Sequence, residues 1–217
     1  MPSLQPIKLY THGNAPNPLK VAILLRELDI PYETKSVPFE ELKKEPYESI
    51  NPNGRLPAIQ DPNTNLTVWE SGAILEYLLE KYDHVASLTF ARDSAEYFEA
   101  KQWLFFQVSG QGPYFGQAVW FTLFHPEQIQ SAKDRYVNEI RRVTGVLNKA
   151  LQNKKYLVGD KYSYADLAFL PSYEIVPKMF KEEVKLEEDF PEVAQWLDRI
   201  KERKAVREAM EEFASAT

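Results

Sequence analysis

The chain contains no cysteine and only three histidines among its 217 residues. The absence of cysteine excludes disulfides, thiolate nucleophiles, iron–sulfur clusters and cysteine-ligated zinc. The histidines, His12, His84 and His125, lie far apart, so we expect neither a histidine-based metal site nor a histidine-dependent hydrolase. No GxSxG, HExxH or P-loop motif is present. Any thiol chemistry must therefore use a sulfur that arrives with the ligand.

The chain also lacks a basic excess and a long apolar run. Its 26 basic and 32 acidic residues give a net charge of −6, which provides no electrostatic footprint for nucleic acid. Apolar runs such as residues 21–25 are far shorter than the ~20 residues of a membrane span. The first residues show no secretory-signal pattern. We expect a cytoplasmic protein that binds neither nucleic acid nor membrane.

The first 85 residues alternate strand-like and helical patterns. Strands are predicted at residues 7–10, 32–37, 56–60 and 66–69. An apolar i, i+3, i+4, i+7 pattern between the first two strands predicts a helix, with Asn17 as its N-cap and Pro18 in its first turn. A second helix is expected to begin at Ser71. This order predicts a small mixed sheet with helices packed on it.

From about residue 92 the pattern becomes helical throughout. Helices are predicted at residues 94–124, 126–151, 163–180 and 190–210. Ser163 followed by Asp166 resembles a capping box at the start of the third of these helices. We therefore divide the chain into an α/β domain at residues 1–85 and an all-α domain at residues 93–217.

Aromatic residues are concentrated in residues 97–124, which hold ten of the 28 in the chain. One interpretation is an aromatic core around a kinked helix, and Trp103 and Phe106 fit it. The other is a pocket wall for an apolar ligand, because binding sites are often lined by aromatic side chains. Residues near the helix-breaking glycines are assigned to that pocket: Phe115, Trp120, Phe121 and Phe124.

Three short motifs of the first domain are expected at one end of the sheet. Asn17 lies near a helix N-terminus, where an anion such as a thiolate is favoured, although such a residue is usually only a cap. A cis Leu56–Pro57 bond would leave the preceding backbone free to pair with an extended ligand. Glu70 would hold an ammonium, while Ser71 and its helix N-terminus would hold a carboxylate. Together they suit an extended, peptide-like ligand.

These motifs resemble those of a known family over essentially the whole chain. Residues 51–58 (NPNGRLPA), 69–74 (WESGAI) and 157–166 resemble the most specific motifs of the cytosolic glutathione transferases. Residues 15–21 and 103–110 resemble the branch of the yeast nitrogen-catabolite regulator and the bacterial nu-class glutathione-dependent disulfide reductases. The resemblance implies a thioredoxin-like N-terminal domain and an all-α C-terminal domain that forms the hydrophobic-substrate site.

The resemblance also implies roles for single residues. Leu56 and the cis-proline Pro57 would hold the cysteinyl part of glutathione, and Glu70 and Ser71 its γ-glutamyl end. Lys43, or Lys44 if the alignment shifts by one, would approach the glycine carboxylate. Asn17 would be the catalytic residue beside the sulfur, with no metal involved. A homodimer is implied, in which the helix after Glu70 packs against residues 94–120 of the partner.

The expected activity is that of a glutathione transferase. Many relatives place Tyr, Ser or Cys where this chain has Ala15, so Asn17 would donate a hydrogen bond to the thiolate without taking its proton. Glutathione would serve as co-substrate, or bind as its disulfide. The thiolate would attack a hydrophobic electrophile, a hydroperoxide or a mixed disulfide. The alternatives are a glutathione-dependent disulfide reductase and a non-catalytic glutathione-binding carrier or regulator.

Overall fold

The computed structural model describes residues 4–215, and the sheet lies in their N-terminal part. Its strands are β1 (Ile7–Thr11), β2 (Tyr32–Ser36), β3 (Ala58–Asp61) and β4 (Leu66–Trp69), in the order β2-β1-β3-β4. β2 runs parallel to β1, whereas β3 is antiparallel to both β1 and β4. The predicted mixed sheet is therefore confirmed. β3 begins later than predicted, so Leu56 and Pro57 precede the strand.

Two helices follow strands of this sheet. α1 (Pro16–Glu27) is buried from Pro18 to Leu25, and α2 (Ser71–Tyr82) buries Ile74, Leu75, Leu78 and Leu79. A short 3-10 turn occupies Phe39–Glu41 in the connection between β2 and β3. α2 buries one apolar face, as the i, i+3, i+4 pattern predicts, whereas α1 is buried on all sides along these eight residues.

The chain forms two compact units that differ from the predicted division. One unit runs up to Leu88 and also takes in the chain from Lys201 onward; the other is Thr89–Ile200. The last helix, α11 (Lys204–Ser215), packs on α1. Its buried face and the paired hydrogen bonds from Arg203 to Glu27, at 2.6 and 2.7 Å, attach it to the N-terminal unit. Sequence patterns cannot assign such a helix to one unit, because its partners are distant in sequence.

The helical unit begins with a nearly continuous helical stretch. α3 (Ala95–Phe106) passes through a π-helical turn (Gln107–Gln111) into α4 (Gly112–Val119), and a second π-helical turn covers Trp120–Phe124. α5 (Gln130–Ala150) packs against α4. The predicted helices over these residues are confirmed. The π-helical turns were not predicted, because an extra residue per turn leaves no local sequence signature.

The remaining predicted helices are divided. Instead of one helix at 163–180 there are α6 (Tyr164–Leu167), α7 (Leu170–Tyr173) and α8 (Val176–Met179). Pro171 and Pro177 stand in the first turns of α7 and α8, where their missing N–H groups interrupt a longer helix. The predicted helix at 190–210 is α10 (Pro191–Lys201) followed by α11, with a short α9 (Leu186–Asp189) before it.

The capping box at the start of α6 is confirmed and anchors the core of the helical unit. The buried carboxylate of Asp166 accepts hydrogen bonds from the Ser163 amide at 3.0 Å, the Leu157 amide at 2.9 Å and the Trp196 indole at 2.9 Å. Desolvation by burial nevertheless raises the pKa of Asp166 to about 6.

Over residues 4–215, none of the helices combines the length and apolar character that a bilayer crossing requires.

Candidate functional site

The structure brings the three motifs of the N-terminal unit together. The Lys20 ammonium donates to Asn17 Oδ1 at 3.1 Å and to Ser71 Oγ at 3.0 Å. The Asn53 side-chain amide donates to Glu70 Oε1 at 3.2 Å. These contacts join the first turns of α1, the segment before β3 and the β4–α2 turn. We call this set of turns the rim.

Asn17 does not have the capping role predicted for it. α1 begins at Pro16, and its N-cap is Ala15, which has no side-chain cap. The fixed φ of Pro16 suits the first helical position, so the helix begins one residue before Asn17. Asn17 is exposed in the first helical turn, and its side-chain oxygen accepts from Lys20.

Lys20 is the rim residue that sequence reasoning missed. It is only 1% exposed, although lysine is almost never fully buried unless it is paired. Burial lowers its pKa to about 7, and the nearby charge of Glu70 opposes that shift. The available signal was its position three residues after Asn17, which places both on one face of α1. Its partner Ser71, 51 residues away, was visible only in the structure.

The segment before β3 presents its backbone. The Leu56–Pro57 peptide is cis, as expected, and Glu45–Pro46 is a second cis bond that was not predicted. Tyr47 Oη and Asn51 Nδ2 each donate to the carbonyl of Arg55 at 2.7 Å. Within residues 4–215, no hydrogen bond engages the N–H or C=O of Leu56. That backbone is therefore available to pair with an extended ligand.

Packing beneath this segment holds it in place. The side chain of Leu56 contacts a buried cluster that underlies the segment. Its members are Tyr10, Val37, Leu42, Tyr47 and Ala58. Tyr10 and Tyr47 meet edge to face, with ring centroids 5.5 Å apart. This cluster packs against the side chain of Leu56, while the Leu56 N–H and C=O have no hydrogen-bond partner among residues 4–215.

Gly54 brings Lys43 to the rim. Gly54 has φ +59°, and a Cβ atom there would lie 2.8 Å from Lys43 Cγ and 2.9 Å from the Leu42 carbonyl oxygen. The stem of Lys43 thus lies against Gly54, beside Asn53, while the side chain remains largely exposed. Of the three heavy atoms nearest to that Cβ position, one belongs to Lys43 and two to Leu42, and none belongs to Lys44.

Glu70 adopts a backbone conformation that side chains other than glycine rarely take. Its φ is +70° at the N-cap of α2. Strain of this kind persists only where the surrounding structure enforces it, and it clusters at ligand-binding sites. Ser71, 6% exposed, opens the helix beside it, and the first amides of α2 have no intrahelical partner. A carboxylate thus stands next to a hydroxyl and free amides.

The predicted apolar pocket residues divide into exposed and buried. Trp120 is 45% and Phe124 62% exposed, and the ring of Phe121 stacks on Tyr136 at 5.5 Å. Phe115 was assigned to the pocket, but it is only 1% exposed and its ring packs edge-on against Tyr173. Phe115 is therefore a core residue.

Over the described part of the chain, no three His, Asp or Glu side chains converge.

Comparison with known proteins identifies the family. The glutathione S-transferase N-terminal domain matches residues 5–80, and the C-terminal domain of the same family matches residues 113–204. The glutathione S-transferase-like protein tpcF of Aspergillus fumigatus is 49% identical, with both chains fully covered. Glutathione S-transferase 2 of Schizosaccharomyces pombe is 44% identical over 96% of both chains. The glutathione transferase URE2P6 of Phanerochaete chrysosporium, solved with oxidized glutathione, superposes with a TM-score of 0.93 at 45% identity over 97% of both chains. This chain belongs to the glutathione S-transferase family.

Proposed function

We propose that this transferase binds glutathione along the rim and uses the glutathione thiolate as its nucleophile. Leu56 pairs with the cysteinyl backbone, and Glu70 and Ser71 hold the γ-glutamyl end. Lys43 faces the glycine carboxylate, and Asn17 lies beside the sulfur. The observation that carries the proposal is the single hydrogen-bonded rim, which brings Asn17, Ser71 and Glu70 together beside the unpaired backbone of Leu56.

Asn17 stabilises the thiolate without acting as a base. A free thiol has a pKa of ~8.5. A hydrogen bond to a charged group contributes roughly 1.5–3 kcal/mol, and about 1.4 kcal/mol corresponds to one pKa unit. Asn17 and the N-terminal end of α1 together lower the pKa of the bound thiol to a value of about 7. The thiol proton is released to water.

The co-substrate is a hydrophobic electrophile or hydroperoxide. Trp120 and Phe124 offer large exposed rings, and Phe121 is held beside them by stacking on Tyr136. Aromatic surfaces of this kind bind apolar ligands with little demand on their shape. We therefore expect a broad rather than a narrow range of electrophiles.

Calorimetric titration tests the glutathione site directly. The parent protein is expected to bind glutathione and its disulfide, and to conjugate an aryl halide. Failure to bind either form of glutathione at millimolar concentration would overturn the proposal. If Asn17→Ala left every glutathione-dependent rate unchanged, Asn17 would not be the catalytic residue, and the alternative of a non-catalytic carrier or regulator would gain support.

A second candidate function is the reduction of disulfides with glutathione. It is favoured by the relative URE2P6, which was solved with oxidized glutathione. The protein would then hold both glutathione moieties of the disulfide. Turnover of hydroxyethyl disulfide without conjugation of an aryl halide would establish this activity in place of conjugation.

We also propose that the protein is a cytoplasmic homodimer. On α3, Phe98 and Phe105 are 57% and 59% exposed and lie seven residues apart, on one face of the helix. Packing of α2 against this face of a partner would cover both rings. Sedimentation equilibrium is expected to give a dimer, and a monomer at micromolar concentration would contradict the proposal.

A further inference from the structure

Lys20 is a buried charged residue of the N-terminal unit, beside the rim, that the proposed mechanism leaves unused. It is 1% exposed and lies under two side chains that the mechanism does use, Asn17 and Ser71. Burying an ammonium is costly unless hydrogen bonds and an opposite charge compensate for it. Here the two acceptors supply hydrogen bonds, and Glu70 supplies the opposite charge.

The Lys20 ammonium determines the orientation of the Asn17 amide group. An ammonium has donors only, so it must face the oxygen of the Asn17 amide and not its nitrogen. The Asn17 Nδ2 group is consequently directed away from Lys20. Among residues 4–215 no group accepts a hydrogen bond from that nitrogen, and Asn17 is exposed.

The same reasoning applies to Ser71. Its oxygen accepts from Lys20 at 3.0 Å, so its hydroxyl proton is free to be donated elsewhere. In the described part of the chain no residue receives that proton. Both side chains thus turn their acceptors toward one buried cation and keep a donor that is not engaged by the described residues.

We propose that Lys20 is a positioning residue that turns Asn17 and Ser71 into donors for an anionic ligand. This inference rests on the proposed function, in which Asn17 serves the glutathione thiolate and Ser71 the γ-glutamyl carboxylate. Without Lys20, the Asn17 amide is free to present its oxygen to the sulfur, which would repel a thiolate. Lys20 also places a positive charge beneath the two positions where the ligand carries negative charge.

The protonation of Lys20 is consistent with this role. Burial brings the pKa of Lys20 to about 7, so the free protein holds it partly charged at neutral pH. An anion bound at the rim adds a second favourable charge to that of Glu70 and raises the charged fraction. Ligand binding and the protonation of Lys20 therefore support one another.

The test is the pKa of the glutathione thiol in the complex, followed by the ultraviolet absorbance of the thiolate. Lys20→Met keeps the length of the side chain but removes its donors and charge. We expect it to raise the thiol pKa by about one unit, which lowers kcat/KM at neutral pH by about tenfold. Binding of S-methylglutathione, which has no thiol, is expected to weaken severalfold because Ser71 loses its orientation. The exposed Lys35 provides the control Lys35→Met, which should change neither value.

A double mutant separates positioning from simple structural support. If Lys20 acts through Asn17, then Asn17→Ala combined with Lys20→Met shifts the thiol pKa by less than the sum of the two single changes. Lys20→Gln, which keeps a donor without the charge, should give an intermediate shift and serves as the second variant if Lys20→Met folds poorly. An unchanged thiol pKa in a folded Lys20 variant that still binds glutathione would overturn the inference alone. Failure of the parent to bind glutathione would overturn the proposed function with it.

Discussion

The rim of the N-terminal unit and the aromatic segment of the helical unit are built in opposite ways. Along the rim, Lys20 and Asn53 connect Asn17, Ser71 and Glu70 through directed hydrogen bonds, and the backbone of Glu70 is held in a rare conformation. Around residues 120–124, Trp120, Leu123 and Phe124 expose large apolar side chains. The difference teaches that the rim is defined by directed polar contacts, whereas the aromatic segment presents apolar surface.

The largest expected effect is a loss of stability that distinguishes the buried from the exposed rings of the aromatic segment. Phe115→Ala should lower the free energy of unfolding by about 3–5 kcal/mol, because it leaves a cavity against Tyr173. Phe124→Ala, at an exposed ring, should change it by only about 0.5 kcal/mol while raising KM for an apolar electrophile. Chemical denaturation measures both. Equal losses in the two variants would contradict the distinction between core and surface rings.

The next largest effect is the loss of stability expected when a side chain is added to the closely packed Gly54 at the rim. Gly54→Ala places a Cβ within 3 Å of Lys43 Cγ and the Leu42 carbonyl oxygen, at φ +59°. Gly159→Ala is a matched control at φ +57°, where the nearest atom lies 3.8 Å away, on Phe90. The control should cost about 1–2 kcal/mol from backbone strain alone. Gly54→Ala should lower the free energy of unfolding by more than the control does, and it should also weaken glutathione binding. If the two variants had the same thermal unfolding temperature, the predicted steric clash at Gly54 would be wrong.

Removal of the rim donor tests catalysis directly. Asn17→Ala should lower kcat/KM by roughly tenfold to a hundredfold, because a hydrogen bond to a charged group contributes about 1.5–3 kcal/mol. Asn138→Ala, on the exposed face of α5, is the control and should leave the rate unchanged. Steady-state kinetics with saturating aryl halide provide the measurement. A similar loss in both variants would show a general effect on the fold.

The smallest expected effect is a pH dependence of stability. The pKa of Lys20 is lowered from 10.5 to about 7, so between these values the unfolded chain binds the proton more strongly than the folded one. Stability therefore rises with pH in this window, and the cost of burying the charge is largest below pH 7.

Comparison of the parent with Lys20→Met isolates this contribution. The difference in their free energies of unfolding should shift in favour of the parent by about 1 kcal/mol per pH unit as pH rises above 7. Urea denaturation at several pH values between 7 and 9 provides the measurement. A difference that stays constant over this range would mean that Lys20 is not buried as a titrating group.

Local patterns predicted the elements whose causes are local. The four strands, the helix that begins at Ser71 and the capping box of Ser163 and Asp166 follow from alternation, apolar spacing and side-chain caps. The prediction that Asn17 caps α1 was wrong because Pro16 begins the helix one residue earlier. The continuous helix at 163–180 was wrong because Pro171 and Pro177 divide it.

The sequence alone determined the order of the secondary-structure elements and the family motifs. It also determined that, in a chain without cysteine, the sulfur for any thiol chemistry must come from the ligand. Only the tertiary structure decided that Phe115 is core, that α11 belongs with the N-terminal unit and that Lys20 bridges Asn17 and Ser71. The physical reason is the range of the interactions. Periodicity and caps act over a few residues, whereas burial and the pairing of a buried charge depend on residues that folding brings together from distant parts of the chain.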